Sequence, residues 1–289
     1  MRRSSRVAGL RTLVAPPARA ESALSPKAPL PRPAVRRSGR RCSTAQEGPA
    51  PAAVPAKRRR SPPPNLSCAA GRSFEAKWWA QGLDRVAGVD EAGRGPLAGP
   101  VVAAACIIPA DVVIAGVNDS KLLDHSQREA VYLELVSHPR VEWAVSVQDH
   151  TVVDSINILQ ATLRAMECAV AGLPRAPDRV LIDGNTMPPA LAHNGETIVG
   201  GDAKSFAIGA ASVLAKVTRD RLMVQLHESW PVYNFAKHKV CVCRAYSPLC
   251  SLTTHSLKGY GTPEHLALIH QHGPCPIHRR TFAPVKHMV

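Results

Sequence analysis

The rhythm of apolar and polar positions changes along the chain and marks out its elements. Arg85 to Asp90 (RVAGVD) is a short apolar run and predicts a strand. Leu97 to Ile108 is apolar nearly throughout, the pattern of a strand covered on both faces. Ser126 to Ser137 carries Ala130, Leu133 and Val136 at helical spacing. Val141 to Val147 (VEWAVSV) alternates with a period of two and predicts another strand. Ser155 to Ala171 places Ile158, Leu159, Thr162, Leu163 and Met166 along one side of a helix. Two short strands follow, Arg179 to Ile182 and Thr197 to Val199, stopped by Asp183-Gly184 and Gly200-Gly201. A long helix over Ala203 to His227 and a shorter one over Thr262 to His272 complete the pattern. Early strands followed by alternating helix and strand predict an α/β layered domain of roughly 200 residues, a mixed sheet with helices packed on it. Large apolar groups begin at Phe74, Trp78 and Trp79, where order is expected to start, and no internal repeat is visible.

Composition sharpens the boundary. The 289 residues carry a formal charge of +14, but residues 1–70 hold 15 Lys and Arg against 2 acidic residues, a net of +13. Residues 71–289 hold 21 against 20, a net of +1, so the basic character belongs to a leading segment and the folded part is near neutral. That distribution argues against a strongly basic DNA-coating domain, whose charge would sit on the fold itself. Residues 1–72 are Pro-, Arg- and Ser-rich, contain none of the 12 aromatic residues, and are expected to stay disordered. An Arg-rich, Ser-containing, acid-poor start is the description of an organelle transit peptide and points to a plastid or mitochondrion. Lys57-Arg58-Arg59-Arg60 offers a nuclear signal instead, and a basic arm touching nucleic acid from the cytoplasm is the third reading. No apolar core follows the first arginines to make a secretory signal, and no run approaches the ~20 residues that span a bilayer. The eight cysteines are not framed as disulfides, and a chain of this length does not need them.

Four acidic residues stand at the ends of elements that should lie side by side. Asp90 and Glu91 close the first strand, Asp183 closes the strand in LIDGN, and Asp202 lies between the last strand and the long helix. Each has an ordinary structural explanation: Asp183-Gly184 is a good turn pair, Asp202 a good helix cap, Asp90-Glu91 a polar loop. Together they would repel one another unless a cation neutralised them. Hard ions such as Mg²⁺ or Mn²⁺ prefer oxygen ligands, and two of them can serve phosphodiester cleavage. Neighbours on a regular strand face opposite sides, so Asp90 and Glu91 share a site only if the chain bends, which Gly93 and Gly95 allow.

At these residues the chain resembles ribonuclease HII. VDEAGRGPLAGPVVAAACI (89–107), NDSKLL (118–123), INILQATL (156–163), LIDGN (181–185), GDAKSFAIGAASVLAKVTRD (201–220), KGYGTPEH (258–265) and GPCPIHRRTFAPV (273–285) follow in the family's order. The resemblance implies a ribonuclease H-like fold, a mixed five-stranded sheet flanked by helices with a C-terminal helical extension, over residues 73–289. It implies an endonuclease that hydrolyses the RNA strand of RNA–DNA hybrids and nicks 5′ of single ribonucleotides in duplex DNA. Two Mn²⁺ or Mg²⁺ ions would serve the reaction, leaving 5′-phosphate and 3′-hydroxyl ends. The family's catalytic, metal-binding carboxylates fall on Asp90, Glu91, Asp183 and Asp202. Gly93, Arg94 and Gly95 match the loop that contacts the ribose 2′-hydroxyl, and Tyr260 the tyrosine that packs on the adjoining sugar. Lys121 and Lys204 match motif positions that could meet phosphates. On the long helix, Ser212 is expected to pack, while Lys216 and Arg219 are possible backbone contacts. The expected partner is a hybrid or a ribonucleotide-containing duplex; no membrane partner is expected, and the family suggests a monomer.

One stretch departs from the family. Family-like sequence covers 84–239 and resumes at 259–285, and the 19 residues Val240 to Lys258 (VCVCRAYSPLCSLTTHSLK) intervene. Cys241, Cys243, Cys250 and His255 lack the close cysteine pair usual in a structural zinc site. A real surface loop costs little entropy. A segment that begins with Val and ends with Lys also fits a short intron translated in frame, since a Val codon opens with GT and a Lys codon can close with AG. The insertion directly precedes Tyr260, so a hybrid-binding protein with impaired catalysis is the alternative function. A DNA-cutting enzyme of the same fold is a third, opposed by the Gly93-Arg94-Gly95 loop.

Overall fold

A computed structural model describes residues 11–14, 71–117, 123–236, 259 and 261–288. The elements in chain order are strand β1 (Arg11–Val14), helix α1 (Ser73–Trp79), strands β2 (Val86–Ala92) and β3 (Val101–Ile107), helix α2 (His125–Ser137), strand β4 (Glu142–Gln148), helix α3 (His150–Ala171), strands β5 (Arg179–Asp183) and β6 (Gly195–Ile198), and helices α4 (Phe206–Ser229) and α5 (Pro263–His272). The sheet runs β1-β4-β3-β2-β5-β6. β1, β4, β3 and β2 pair antiparallel, and β2, β5 and β6 pair parallel. The five expected strands are all present. The backbone of β1 adds a sixth along the open edge of β4, and it comes from the leading segment 1–72, expected to be disordered throughout.

β3 is central, and all seven of its residues are buried. Successive side chains on a strand point to opposite faces, and here the two faces are covered by different helices. Val102, Ala104 and Cys106 face α4 and α2, packing with Phe206, Ala210, Val213, Val131 and Leu135. Ala103, Ala105 and Ile107 face α3, packing with Ala165, Met166 and Ala169. That double coverage is why the run carries no polar alternation.

Several boundaries differ from the sequence pattern, two of them through a turn and a break in the backbone. Leu97–Pro100 does not extend β3. Gly99 turns the chain at φ +80°, and Ala98 bridges instead to His278. α3 begins at His150, capped by the Asp149 carboxylate, which accepts the Thr151 and Val152 N–H groups. It breaks at Asn157 (φ 66°), whose side-chain oxygen then accepts the Gln160 N–H and restarts the helix. The apolar stripe from Ile158 belongs to that second part.

α4 lies very close to β2. A Cβ on Gly88 would overlap the backbone of Ala207 and Ile208. The start of α4 is fixed by Ser205, whose hydroxyl accepts the Ile208 N–H, and by the buried Glu75 of α1, which accepts from the Ser205 hydroxyl (2.6 Å) and the Ala207 N–H (2.9 Å). Ser205, not Asp202, is therefore the cap. The C-terminal extension, α5 with the segment after it, packs Ile269, Ile277 and Val285 on Leu97, Met223, Tyr233 and Phe235. No helix among the described residues is long and apolar enough to cross a membrane.

Candidate active site

The parallel pairing of β2 with β5 ends at Val89–Ile182. One further step of that register sets Asp90 beside Asp183, and directly opposed residues share a face of the sheet. β6 pairs with β5 through Asp183–Ile198, and the turn Gly201–Ala203 after it carries Asp202. These elements bring carboxylates 90, 91, 183 and 202 to one edge, but the expected bend does not fall between Asp90 and Glu91. β2 stays in register through Ala92 and turns only at Gly93, so the two side chains leave opposite faces of the strand. Asp90 and Asp202 are buried, and the side chain of Glu91 is 13% exposed.

Each carboxylate is held locally. Asp90 Oδ1 accepts the Glu91 N–H (2.7 Å). Asp183 Oδ1 accepts the Gly201 N–H (2.7 Å), tying β5 to the turn that carries Asp202. Asp202 Oδ1 accepts the Ala203 N–H (3.0 Å), and Glu91 pairs with Arg94 Nη1 at 3.1 Å. Burial holds the Asp90 carboxyl well above the usual carboxylate range, and the neighbouring Glu91, Asp183 and Asp202 push it the same way. A hydrogen bond with Ser212 opposes them. The charges of all four acidic residues therefore meet at Asp90. As the side chains stand, no three Asp, Glu, His or Cys groups among the described residues close around a single point. The donor set is nonetheless all carboxylate oxygen, and an adjacent cation would relieve the repulsion at Asp90. Those two properties fit a hard divalent ion.

Ser212 was expected only to pack. Its place follows from the Gly88 contact: Gly88 and Asp90 lie on one face of β2, and Ser212 is one turn along α4 from Ile208. The contact carrying Gly88 therefore brings Ser212 over Asp90.

Beyond β2 the Gly93-Arg94-Gly95 loop is partly open, with Arg94 and Gly95 exposed. Gly93 adopts φ +96°, and a Cβ there would strike the Arg219 side chain. Two arginines hold this loop from inside. Arg219, 1% exposed, donates from Nε to Pro100 O (3.0 Å) and from Nη2 to Ala98 O (3.3 Å). It faces protein carbonyls, not a phosphate. Arg279, fully buried, donates to the carbonyls of Gly93, Arg94 and Gly99. Sequence reasoning assigned no role to Arg279, which sits in a run of basic residues, His278-Arg279-Arg280, with nothing to set it apart from its neighbours. Lys216 pairs with Asp220 at 2.8 Å on α4.

Lys204 is exposed, and its Nζ donates to Val199 O at 2.6 Å. Lys121 and Tyr260 lie outside the described residues, as does the whole segment 240–258. Gly259 is placed: its carbonyl accepts the N–H of Leu97 (2.6 Å), two positions beyond Gly95. A cavity of about 720 Å³ opens at the opposite end of the sheet, and its arginines 85, 140 and 175 are paired with Glu142 and Asp111.

A family model described as Ribonuclease HII matches residues 87–241. The chain belongs to the ribonuclease HII family. It is 46% identical over 217 residues to the ribonuclease HII of Endomicrobium trichonymphae, covering 75% of this chain and 94% of that protein. It is 48% identical over 204 residues to that of Idiomarina loihiensis, covering 71% and 98%. The crystal structure of the ribonuclease H2 from Pyrococcus horikoshii superposes with a TM-score of 0.53 at 26% identity, over 71% of this chain and 96% of that one. As a ribonuclease HII, the chain is a ribonuclease H enzyme, and the sheet with its covering helices is the ribonuclease H-like fold. The family match stops two residues into the segment that begins at Val240.

Proposed function

We propose that the chain is an endonuclease that hydrolyses the RNA strand of RNA–DNA hybrids and nicks 5′ of single ribonucleotides in duplex DNA, leaving 5′-phosphate and 3′-hydroxyl ends. The observation that carries this is the meeting of Asp90, Glu91, Asp183 and Asp202 at one sheet edge, next to a glycine loop with exposed backbone. Asp90, Glu91, Asp183 and Asp202 would hold two divalent ions, Mg²⁺ or Mn²⁺. Such ions, when bound, activate a water and stabilise a leaving oxygen in phosphodiester cleavage.

The protein's own groups supply placement and selection. Asp183 is held by the Gly201 amide and Asp90 by the Glu91 amide, so both carboxylates are fixed before substrate arrives. The Gly93-Arg94-Gly95 backbone can approach a sugar closely because two of its three residues lack a side chain. A backbone donor or acceptor there can read the 2′-hydroxyl, the group that separates RNA from DNA locally. Tyr260 is assigned to the neighbouring sugar, and Lys121 and Lys204 to phosphates. The enzyme acts as a monomer, without a membrane partner.

The deciding experiment is a gel assay of the full chain on a labelled DNA duplex containing one ribonucleotide, with Mg²⁺ or Mn²⁺. Wild type should nick 5′ of the ribonucleotide, and Asp90→Asn should not. Binding without cleavage by the wild type would overturn the assignment in favour of a hybrid-binding protein. Cleavage of an all-deoxy duplex would overturn the ribose reading. A form lacking Val240–Lys258, run alongside, reports whether that segment restrains the enzyme.

A further inference from the structure

The support of the Gly93–Pro100 segment is denser than a turn requires. Six of its eight carbonyls are taken by two buried arginines. The Arg279 guanidinium donates to Gly93 O (Nη2, 2.6 Å), Arg94 O (Nη1, 2.9 Å) and Gly99 O (Nε, 3.0 Å). The Arg279 backbone N–H donates to Leu97 O at 2.8 Å. Arg219 takes Ala98 O and Pro100 O. The Arg279 guanidinium also lies over the Phe282 ring, 5.0 Å from its centroid.

The direction of these bonds has a consequence. A trans peptide unit is planar, and its C=O and N–H point opposite ways. With the carbonyls of Gly93 and Arg94 drawn inward to one guanidinium, the N–H groups of Arg94 and Gly95 are aimed outward from it. Both residues are on the exposed side of the loop. A lysine could not do this: its ammonium is a point charge on a flexible stem, whereas guanidinium presents a rigid fork of donors.

We propose that Arg279 is a positioning residue for sugar selection. Its bonds to Gly93 O and Arg94 O set the two peptide planes whose N–H groups face the ribose, its bond to Gly99 O anchors the far end of the segment, and Arg219 props the same loop from the α4 side. This rests on the proposed ribose-reading role of Gly93–Gly95. The C-terminal extension then does more than cover Leu97 and Met223: it determines how the loop meets the substrate.

The test measures selectivity, not activity alone. The full chain in an Asp90→Asn background is titrated, in Mg²⁺, with a fluorescent DNA duplex carrying one ribonucleotide and with its all-deoxy counterpart. The ratio of the two Kd values is the readout, with circular dichroism and thermal melting in parallel. For Arg279→Lys the ratio is expected to fall by about tenfold or more, the scale on which small misplacements act, while all-deoxy binding stays unchanged. A residue serving stability alone would lower the melting temperature and weaken both duplexes alike. If Arg279→Lys does not fold, Phe282→Leu loosens the guanidinium's platform while keeping its charge, and should lower the ratio by a smaller factor. An unchanged ratio in whichever variant folds overturns the positioning role and leaves the ribose reading standing. No preference in the Asp90→Asn parent overturns both.

Discussion

Asp90 carries a free-energy penalty in the folded chain: it is buried, and three other carboxylates push against its ionisation. Asp90→Asn keeps the shape and removes the repulsion. Cleavage should fall by about a hundredfold or more, while the melting temperature in metal-free buffer should equal or exceed that of wild type. A nicking assay and a melt on the same preparation check both, and a lower melting temperature would contradict this account. Ser212→Ala removes the hydroxyl that opposes the shift of Asp90. A hydrogen bond to a charged group is worth roughly 1.5–3 kcal/mol, so kcat should drop about tenfold or more with little change in fold. The carboxylates were visible in the sequence because each stands where a strand gives way to a glycine-rich turn. Ser212 was not, since a serine inside Ala-Ala-Ser-Val-Leu reads as a small packing residue. Its role depends on how α4 lies across β2, which local spacing does not encode. Arg219 and Arg279 were misjudged or passed over for a related reason: a buried arginine that serves backbone carbonyls looks, in sequence, like any other basic residue.

Among the elements, the β2–α4 contact is the tightest that the glycines reveal. Gly88→Ala places a methyl group against the backbone of Ala207 and Ile208, which cannot rotate away as a side chain can. The expected cost is about 1–3 kcal/mol or more, read as a lower urea midpoint, and activity should fall with it because Ser212 moves away from Asp90. The C-terminal extension is expected to be acid-sensitive. His278 is fully buried; its Nδ1 accepts the Cys275 N–H (2.9 Å), and its Nε2 lies 3.1 Å from His265 Nε2. Burial, and then His265, pull its pKa down to about 4 from 6.5. The unfolded chain therefore takes up a proton that the folded chain refuses. Stability from this group is constant above pH 6.5 and falls between 6.5 and about 4, by at most on the order of 3 kcal/mol. Urea titrations from pH 7 to 4 should show that slope, and His278→Gln should flatten it. The element pattern was largely readable, because β3 is covered on both faces and α4 is long. The restart of α3 at Asn157 was not, since a left-handed asparagine leaves the apolar stripe on either side intact.

For the whole molecule, Glu142 links distant parts of the chain. Arg85 donates to it with both terminal nitrogens at 2.8 Å, and Arg175 adds a third bond at 2.9 Å. The Arg85 hydrogen bond first, then Arg175, holds the Glu142 carboxyl down at about 2. This support is complete above about pH 4.5 and is lost as pH falls toward 2, below the window set by His278. Glu142→Gln should therefore lower the melting temperature at pH 7, by an amount that shrinks steadily as pH falls toward 2. The leading segment makes a separate prediction. Residues 1–70 fused to a fluorescent protein should direct it to a plastid or mitochondrion in a eukaryotic cell, and a nuclear or diffuse signal would contradict that reading. Charge made the segment's distinctness legible; β1 was not, because four residues such as Arg11–Val14 carry no period long enough to read.

The bonds from Arg279 to Gly93 and Arg94 join positions 186 and 185 residues apart. Contacts so distant in sequence form only after the chain between them has been made and has closed on itself. During synthesis the four carboxylates are already translated by residue 202, well before the residue that aims the loop. A nascent chain would thus hold the makings of a phosphodiester-cutting centre before it could tell one sugar from another. If Arg279 aims the loop as proposed, selectivity comes last in the order of assembly, and a chain ending after α4 but before residue 279 would carry all four carboxylates without the arginine that sets the loop.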